Sequence, residues 1–580
     1  MGMNISLRFI IAFLFFTNLI FAQFPDNTWL LGYGGGVADL DSFGISVLKF
    51  DDNKLIVGGE EEIVYRVEVN NTSMSDAEGA LLFYFNGKEL FNTNHELILN
   101  GDSMYTGALD RGYDIPQGTL LLPFPENPNQ FLILSTHITY YDELSDVAGE
   151  QLYYSILDME ANEGQGHVTI KNELLEEYLV HGGQLTATRH ANGRDWWIIW
   201  PYWDSNRFMR FLVNPEGITR HEDQIIGDSI RSGFGQALYT PDGSRFITYN
   251  NRYIDEEPIA DIYDFDRCSG TLSNQVRITA PIAGASNGAA ISHDSHFLYL
   301  INRGYIYQYD LLAPDIAATQ DTVAVFDGAL DPWFPASFFM GQLARDGKIY
   351  VSSPNGVLSL TVIEHPDRQG EACAVNQHAV RLPVYNAFGI PTFPNHRLGP
   401  LDGSPCDTLG INNFPLANFR TDQDTSDYLG FYFQNLSAYE PTQWAWDFGD
   451  GGMSQDTSPV HTYLQDGTYE VCLTVSNDNG SHTYCQTLQV GTVGTQSPVV
   501  EVEVQTFPNP FPDQFSVVLS DYYPQRAVVT YYTLAGQRVH QQRLFHGWNT
   551  VDGTSWPSGI YLYEVWDGGQ QLASGKVVKG

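Results

Sequence analysis

Two aspartates stand among glycines and tryptophans in the segment from Trp444 to Gly452, which reads WAWDFGDGG. Such residues could form a calcium loop, a phosphate-binding loop or a tight turn. A calcium loop needs more oxygen ligands, usually as a D-x-D-x-D-G ladder, and a phosphate loop needs a Lys-Ser or Lys-Thr pair that opens a helix. Neither follows in the sequence. We interpret Gly449-Asp450-Gly451 as a turn, because glycine tolerates positive φ and aspartate bonds its own backbone.

Other candidate sites for catalysis or metal binding are incomplete. Residues 284–288 read GASNG and fit the G-x-S-x-G nucleophile elbow, but a strand-like segment follows where the elbow needs a helix. His293 and His296 share one turn and could bind a metal, yet no third ligand is near in the sequence. We therefore predict no catalytic residue and no metal ligand. A calcium ion stays open as the alternative to the absence of any cofactor.

Aromatic residues supply the best candidates for ligand binding. The segment 195–204 reads DWWIIWPYWD, in which Pro201 ends a strand and leaves Tyr202 and Trp203 on a loop. Flat rings of Trp200, Tyr202 and Trp203 could stack on sugar rings, while packing between neighbouring sheets explains the same residues more simply. The segment 331–339, DPWFPASFF, carries the same two interpretations.

The N-terminus and the composition indicate an exported β-protein. Residues 1–22 hold one basic residue, Arg8, and then an apolar run that is too short to span a membrane comfortably, so we expect a signal peptide that is cut before Gln23. Only 17% of residues are charged, and the chain has 54 glycines and 33 tyrosines, which favours an all-β protein with many turns. The net charge of −40 argues against a nucleic-acid partner.

Five cysteines in an exported chain permit two disulfide bonds. Cys472 and Cys485 flank two alternating strands, and a two-residue turn at Asp478-Asn479 would place the two sulfurs directly opposite each other. A turn at Asn479-Gly480 would separate them. We predict the bond between Cys472 and Cys485, and we suggest Cys373 with Cys406 as a second pair.

A turn followed by an apolar strand recurs in steps of about fifty residues, with one longer step, through the first four hundred residues. The instances are residues 76–85, 126–135, 190–199, 240–249, 292–301 and 344–353. Such a period is typical of propeller blades, each a small sheet that must stack on its neighbours to bury both faces. We prefer seven blades, with six as the alternative. Pairing of residues 389–398 with residues 27–34 would close the ring.

Three regions resemble known families. NTSMSDAEGALLFYFNG, HANGRDWWII and YDFDRCSGTLSN look like the propeller-like region of large secreted proteins from bacteria with a type IX secretion system. QWAWDFGDGG and SPVHTYLQDGTYEVCLTVSNDNG resemble a PKD domain, an immunoglobulin-like β-sandwich. This resemblance implies that Trp446 and Phe448 point into the core beside Asp447, and that the glycines supply a turn.

The third region resembles the type A C-terminal sorting domain of the type IX secretion system. It opens with FPNPF and ends with GKVVKG, and an LAGQ hairpin and a PSGIY strand lie between them. The resemblance implies a small β-sandwich that is an export address. Its motif residues are Pro508, Asn509, Pro510, Gly536, Gly559, Tyr561, Gly575 and Lys576.

These observations predict an exported all-β protein. The expected segments are a signal peptide (1–22), a β-propeller (23–410), a PKD domain (411–492), a linker (493–498) and a sorting domain (499–580). We expect binding or adhesion at the cell surface or in the medium, reached through the periplasm and the type IX machinery, with a glycan or protein ligand. The alternative is an enzyme that degrades polysaccharide or protein in the propeller funnel, which a converging carboxylate pair would favour.

Overall fold

A computed structural model gives the fold of the chain. It describes residues 24–32, 44–51, 53–60, 70–104, 116–141, 146–181, 183–230, 233–251, 257–281, 287–424, 427–491, 504–519, 527–534, 536–544, 547–567 and 570–580. The predicted signal peptide and linker lie outside these ranges. In the described part, the regular structure consists of β-strands and three 3-10 turns, Asn162–Gly164, Ala317–Thr319 and Gly370–Cys373, which confirms the all-β prediction. No helix in these ranges is long and apolar enough to cross a membrane.

Seven antiparallel sheets follow one another between Thr28 and Asn386. The first holds β1 (Thr28–Gly32), β2 (Ile45–Asp51) and β3 (Lys54–Glu60), and the second holds β4 (Thr72–Ser75), β5 (Leu81–Phe85) and β6 (Leu90–Asn92). The third holds β7 (Thr119–Phe124), β8 (Asn127–Tyr141), β9 (Asp146–Asp158) and β10 (His167–His181). The fourth holds β11 (Ala187–Arg189), β12 (Trp196–Pro201), β13 (Ser205–Asn214) and β14 (Gly217–Ile230).

The last three of these sheets repeat the four-stranded pattern, with strands paired in chain order. The fifth holds β15 (Phe234–Tyr239), β16 (Arg245–Asn251), β17 (Ile259–Asp266) and β18 (Thr271–Thr279). The sixth holds β19 (Asn287–Ile291), β20 (Phe297–Asn302), β21 (Tyr305–Asp310) and β22 (Asp321–Val325). The seventh holds β23 (Gly341–Leu343), β24 (Ile349–Val351), β25 (Val357–Ile363) and β26 (Val375–Asn386).

The repeated turn motif joins the first and second strands of these sheets. In the fifth sheet, Asp242 accepts the backbone N–H of Ser244 on Oδ1 at 3.0 Å, and Gly243 takes a φ of +70°. A Cβ on Gly243 would also lie 2.7 Å from Leu398. Aspartate followed by glycine therefore recurs because one residue caps the turn and the other adopts its left-handed backbone.

Each sheet buries both faces against its neighbours, as the repeats require. In β12, Trp196 and Trp200 pack with Leu132 of the third sheet, while Trp197 packs with Phe246 of the fifth. The seventh sheet meets the first in a cluster that includes Trp29, Phe50 and Tyr350. The stacked ring is a β-propeller. Seven sheets are present in the described residues, and the preference for seven blades over six stays a prediction for the whole chain.

The predicted closing ladder is wrong. We expected residues 389–398 to pair with residues 27–34, but β1 forms its ladder with β2, and residues 389–398 contain no strand. Pro391 and Pro394 have no N–H to donate, so this segment cannot hold a continuous ladder. It packs beside β1 through side chains instead: the ring of Phe393 lies 6.2 Å from that of Trp29.

The PKD region is a two-sheet sandwich. Its strands are β27 (Phe419–Gln423), β28 (Gly430–Asn435), β29 (Gln443–Asp447), β30 (Met453–Ser454), β31 (Val460–Thr462), β32 (Gly467–Asn477) and β33 (Gly480–Val490). One sheet has the order β27-β28-β31 and the other β30-β29-β32-β33. Phe419 packs on Trp446 across the sandwich with ring centroids 5.1 Å apart. Residues 430–462 and 470–487 belong to the same compact unit as the propeller.

Two disulfide bonds are present. Cys472 and Cys485 are bonded across β32 and β33, whose two-residue connection is Asp478-Asn479. The suggested pair of Cys373 with Cys406 is wrong, because Cys406 is bonded to Cys268. Cys373 is a buried free thiol in the apolar cluster between the sixth and seventh sheets, and burial raises its pKa to about 11. A thiol with so high a pKa is a poor nucleophile.

The second compact unit comprises residues 425–429, 463–469 and 488–580. Its last part is a sandwich of β34 (Val504–Phe507), β35 (Gln514–Leu519), β36 (Val528–Thr533), β37 (Arg538–Arg543), β38 (Gly547–Asp552), β39 (Gly559–Asp567) and β40 (Gln570–Lys579). The sheets have the orders β34-β35-β38 and β37-β36-β39-β40. Their inner faces enclose a core that includes Phe515, Tyr531 and Trp556.

Candidate functional site

Two buried glutamines cross the central channel of the propeller. Gln117 donates from Nε2 to the carbonyl of Ala237 at 2.7 Å, and its Oε1 accepts the N–H of Ala237 at 2.7 Å. Gln236 donates to the carbonyl of Gly341 at 3.2 Å and accepts the N–H of Ala289 at 2.8 Å. Each amide satisfies backbone groups of another sheet, and an unpaired buried group would cost about 1–3 kcal/mol. The part of the channel at Gln117 and Gln236 is therefore filled by structural hydrogen bonds.

A cavity of about 400 Å³ lies on the axis, and residues 392–399 and the PKD residues 436–441 form part of its wall. Four carboxylates line it: burial and the neighbouring Asp402 raise the pKa of Glu440, and the other three have structural partners. Asp26 accepts two hydrogen bonds from Arg397 at 2.7 and 2.8 Å. Burial alone would raise the pKa of Asp26, but Arg397 lowers it to about 2. Asp242 and Asp294 accept backbone N–H groups of their own turns, so these three acids stabilise the fold.

Arg420 fixes the PKD domain to the seventh sheet. It is the one basic residue in the segment 411–498 of the sequence and is almost fully buried. Its guanidinium donates to the carbonyl of Asp346 at 2.6 Å and to the carbonyl of Glu364 at 2.9 Å, and it pairs with Asp422 at 3.0 Å. A buried guanidinium needs such partners, since it stays charged. This end of the propeller is therefore covered by the PKD domain.

The two histidines considered as metal ligands have other contacts. His293 lies against Gln434 of the PKD domain, with 3.2 Å between their nitrogens, and His296 pairs with Asp310 at 3.1 Å. Across the described ranges, no group of three or more His, Cys, Asp or Glu residues is arranged to hold a metal ion. Residues 284–286 of the G-x-S-x-G segment lie outside the described residues, and its last two residues, from Asn287, begin strand β19, where a nucleophile elbow needs a helix.

The WDFGDG loop is a turn held by its own aspartates. Asp447 accepts the N–H of Gly449 at 2.9 Å, and Asp450 accepts the N–H of Gly452 at 2.8 Å. Gly449 and Gly451 take φ values of +78° and +91°. The other oxygen of Asp450 lies 2.8 Å from His461. Trp446 and Phe448 are buried in the sandwich core, so these residues serve the turn and the core.

The first aromatic segment is largely buried. Trp200 is 1% exposed and donates its indole N–H to the carbonyl of Gly183 at 3.0 Å, and Tyr202 is 6% exposed. Neither ring can stack on a sugar without unfolding the sheet, so the packing alternative accounts for both. Trp203 is partly exposed in the turn after β12, and its backbone N–H donates to the carbonyl of Leu179 at 3.2 Å.

Tyr202 belongs to a charged cluster on the fourth sheet. Its hydroxyl donates to Asp223 at 2.9 Å, and Asp223 forms ion pairs with Arg207 and Arg220. Arg207 also lies over the Tyr202 ring, and the ring of Tyr178 packs edge-on against it at 4.8 Å. Burial and the neighbouring Asp223 raise the pKa of Tyr202 to about 12. The hydroxyl is therefore a structural donor.

The first part of the second aromatic segment is exposed, whereas Phe338 and Phe339 at its end are buried. Residues 330–335, which we call the aromatic turn, connect the sixth sheet to the seventh and present Trp333 at 75% exposure, Phe334 at 53% and Leu330 at 62%. The turn is closed by a bridge between Leu330 and Pro335 and by a hydrogen bond of 2.9 Å from the N–H of Asp331 to the carbonyl of Phe334. The rings thus stand on a closed turn.

Asp331 anchors the aromatic turn in the seventh sheet. Its buried carboxylate accepts hydrogen bonds from Ser359 at 2.5 Å, from the N–H of Leu358 at 3.1 Å and from Arg381 at 2.6 Å. Asn355 adds a hydrogen bond of 2.7 Å to the carbonyl of Pro335. Three partners for one carboxylate fix the base of the turn, while its tip stays in solvent.

The aromatic turn lies on the face of the propeller opposite the PKD domain. It precedes β23, whereas Asp346, which binds Arg420, follows β23 in the next turn. The two ends of one strand point to opposite faces of a propeller. The sequence held a signal for this turn: Pro332 and Pro335 flank Trp333-Phe334, and proline is excluded from strand interiors.

In the C-terminal sandwich, the FPNPF segment is bonded to the last strand. Asn509 donates to the carbonyl of Lys576 at 3.0 Å and accepts the N–H of Val578 at 2.9 Å. Tyr561 is buried and donates to Pro557 at 2.6 Å, and a Cβ on Gly575 would collide with Tyr563. Pro508 and Pro510 flank Asn509, Gly559 begins β39 and Gly536 occupies a hairpin with a φ of +80°.

Comparisons with known proteins match the two C-terminal regions. Residues 412–492 match the PKD domain family, and residues 505–579 match the family described as secretion system C-terminal sorting domain. Collagenase ColQ1 of Bacillus cereus (strain Q1) is 43% identical over 82 residues, which is 13% of this chain. The chain spans only 8% of the length of that relative.

Solved structures show similarity to both regions of the first compact unit. The PKD1 domain of Vibrio anguillarum Epp is 38% identical and covers 14% of this chain and 95% of its own, with a TM-score of 0.13. A candidate 6-phosphogluconolactonase from Bacteroides fragilis NCTC 9343 is 11% identical and covers 63% of this chain and 96% of its own, with a TM-score of 0.35.

Proposed function

Because the chain carries a PKD domain and a type IX C-terminal sorting domain, it is exported to the cell surface or the extracellular space, and we propose that it acts there as a binding or adhesion protein. The proposed binding surface is the face of the propeller opposite the PKD domain. The observation that carries this proposal is the aromatic turn, whose Trp333 and Phe334 are exposed to solvent on a firmly anchored loop.

Exposed aromatic residues on a folded loop favour binding for two reasons. Contiguous exposed apolar side chains often mark a contact with another molecule. Tryptophan also dominates binding energies, because one ring buries about 150–250 Å². A turn fixed by Asp331 loses little conformational freedom when a ligand binds, so less of the contact energy is offset.

In this proposal, the PKD domain is a fixed part of the propeller module. Arg420 and Asn53 join the domain to the seventh and first sheets, with Asn53 donating to the carbonyl of Phe419 at 2.7 Å. The covered face is then unavailable to ligands, and binding is directed to the opposite face. The sorting domain is handled by the type IX machinery.

The alternative is an enzyme with its site in the channel. A pair of carboxylates converging in the channel would favour this alternative. Of the four carboxylates among the described residues that line the cavity, Asp26, Asp242 and Asp294 accept hydrogen bonds from structural partners, which leaves Glu440 as a single carboxylate rather than a pair. Gln117 and Gln236 occupy the channel itself. These features favour the binding proposal.

The test measures retention of the purified full-length protein on intact bacterial cells and on surfaces coated with extracellular matrix proteins or with polysaccharides. We expect saturable retention on at least one surface, lost in the double variant Trp333→Ala/Phe334→Ala. The matched control is Leu312→Ala: Leu312 is 71% exposed and follows Leu311, whose N–H bonds to His296 on the PKD side of the sixth sheet. Retention on no surface would contradict the proposal, and release of sugar or peptide ends would favour the enzyme.

A further inference from the structure

The aromatic turn has the shape and size of a contact for one extended polymer. We propose that the aromatic turn binds a neutral polysaccharide chain, an inference that rests on the proposed function. Trp333 and Phe334 would stack on the apolar faces of the sugar rings. The turn is a closed surface loop whose two rings are exposed at 75% and 53%, and it does not line the cavity on the axis. Small ligands need a concave site that encloses most of their surface, so a surface loop favours a polymer that lies across it.

The exposed apolar area separates a polysaccharide from a protein partner. Five of the six residues of the turn are exposed. Because full aromatic side chains bury about 150–250 Å² each, its two rings offer roughly 200–300 Å². A stable protein interface needs about 800 Å² from each partner. A polysaccharide binds through a few stacked rings at each contact, and repetition along the chain raises the overall avidity.

Polar groups around the base of the turn suit sugar hydroxyls. Asp327 pairs with His378 at 3.2 Å, Gln377 bonds to the N–H of Asp327, and Asn355 bonds to Pro335. Each of these side chains has hydrogen-bonding capacity on the segments that flank or hold the turn. Polar groups beside a flat ring suit the alternation of apolar and hydroxyl-bearing surfaces on a sugar.

Charge selects a neutral polymer among polysaccharides. The chain carries a net charge of −40, which repels polyanions over distances up to the Debye length, about 8 Å at physiological salt. Stacking on a neutral sugar does not depend on charge, so binding to a neutral polymer should be insensitive to salt.

The experiment incubates the full-length protein with insoluble cellulose, chitin, mannan and starch, and with alginate beads as the polyanion, and measures the protein depleted from solution. We expect saturable binding to at least one neutral polymer, unchanged between 50 mM and 500 mM NaCl. Trp333→Ala should weaken it by about tenfold or more, as for an aromatic hot spot. Leu312→Ala should bind like the wild type.

Each outcome decides the inference. Binding to none of the neutral polymers, binding that Trp333→Ala leaves unchanged, or salt-sensitive binding to alginate alone would overturn it. Retention on cells or matrix proteins that requires Trp333, without binding to any neutral polymer, would keep the proposed function and overturn only the polysaccharide inference. Retention on nothing would overturn both. Equal thermal unfolding of Trp333→Ala and wild type shows that lost binding is not lost folding.

Discussion

Two aromatic segments of the propeller place their tryptophans in opposite environments. DWWIIWPYWD runs through β12, where Trp196 and Trp200 face the third sheet and Trp197 faces the fifth. DPWFPASFF begins in the aromatic turn between the sixth and seventh sheets, where Trp333 is 75% exposed, and ends in the buried residues Phe338 and Phe339. The first segment joins blades, and the second presents rings to solvent.

The difference comes from position along the blade rather than from hydrophobicity. A second strand of a propeller blade has neighbours on both faces, so each of its side chains is buried. A connection between blades has its end in water, and its backbone groups need local partners. In the aromatic turn, the N–H of Asp331 donates to the carbonyl of Phe334, and Asn355 donates to the carbonyl of Pro335. The buried tryptophans of β12 thus reflect stacking of sheets, while the exposed Trp333 on its anchored turn is the ring for which we propose a ligand.

The largest effect on stability is expected for Trp200→Ala. This ring is almost fully buried between the third and fourth sheets, so the variant should lose about 3–5 kcal/mol of unfolding free energy. Urea unfolding followed by tryptophan fluorescence measures the loss, with Leu312→Ala as the control. Retention per folded molecule should stay at the wild-type level. A stable variant with reduced retention would restore Trp200 as a ligand contact.

The second effect is expected for Asp331→Ala. The substitution removes the acceptor for Ser359, Leu358 and Arg381, and an unsatisfied partner costs about 1–3 kcal/mol. It should also weaken ligand retention, because the turn would no longer hold its rings in place. Urea unfolding and the retention assay measure the two effects, and Asp331→Asn should show smaller losses in both. Unchanged retention in Asp331→Ala would show that the rings need no anchoring.

A smaller, pH-dependent effect is expected for Tyr202→Phe. Removing a hydroxyl that donates to Asp223 should cost about 1 kcal/mol at neutral pH. Burial and Asp223 raise the pKa of Tyr202 to about 12, so the fold favours the neutral phenol. The stabilisation that the Tyr202 hydroxyl gives the folded state is therefore complete below pH 10 and is lost as the pH rises from 10 to 12. Unfolding of both proteins from pH 8 to 12 should show their difference shrinking, and a constant difference would contradict this assignment.

The smallest effect on stability is expected for Trp333→Ala. An exposed side chain makes few contacts in the folded state, so the change in unfolding free energy should stay within about 0.5 kcal/mol. The same urea titration measures it. Set beside Trp200→Ala, this variant completes the comparison: one tryptophan should affect stability without retention, and the other retention without stability. A loss above 2 kcal/mol would mean that Trp333 packs against the propeller.

Sequence patterns anticipated much of the local structure. The turn motifs at Asp242-Gly243 and their relatives marked the hairpins of the sheets, because aspartate and glycine have local backbone roles. The turn at Asp478-Asn479 placed Cys472 opposite Cys485 for the same local reason. The PKD and sorting regions were found from motifs that serve turns and cores. Export to the surface or medium follows from the sorting domain.

These local patterns did not predict contacts between residues far apart in the sequence. The bond between Cys268 and Cys406 joins residues 138 positions apart, and spacing along the chain holds no information about such a contact. The ring closure failed for a related reason: residues 389–398 do reach β1, but two prolines replace a ladder by side-chain packing. The docking of Arg420 on Asp346 was likewise invisible, since a single arginine in an acidic domain gives no sign of its partner.

The sequence by itself determined the β class, the repeated blades, the hairpin disulfide and the export address, because these depend on contacts between residues close along the chain. Only the tertiary structure decided which aromatic rings face water, which end of the channel the PKD domain covers and which cysteine is free. Trp200 and Trp333 sit in equally apolar segments, and their exposure depends on whether another sheet stacks against them. Stacking is set by the closed ring of blades, and no single segment encodes it.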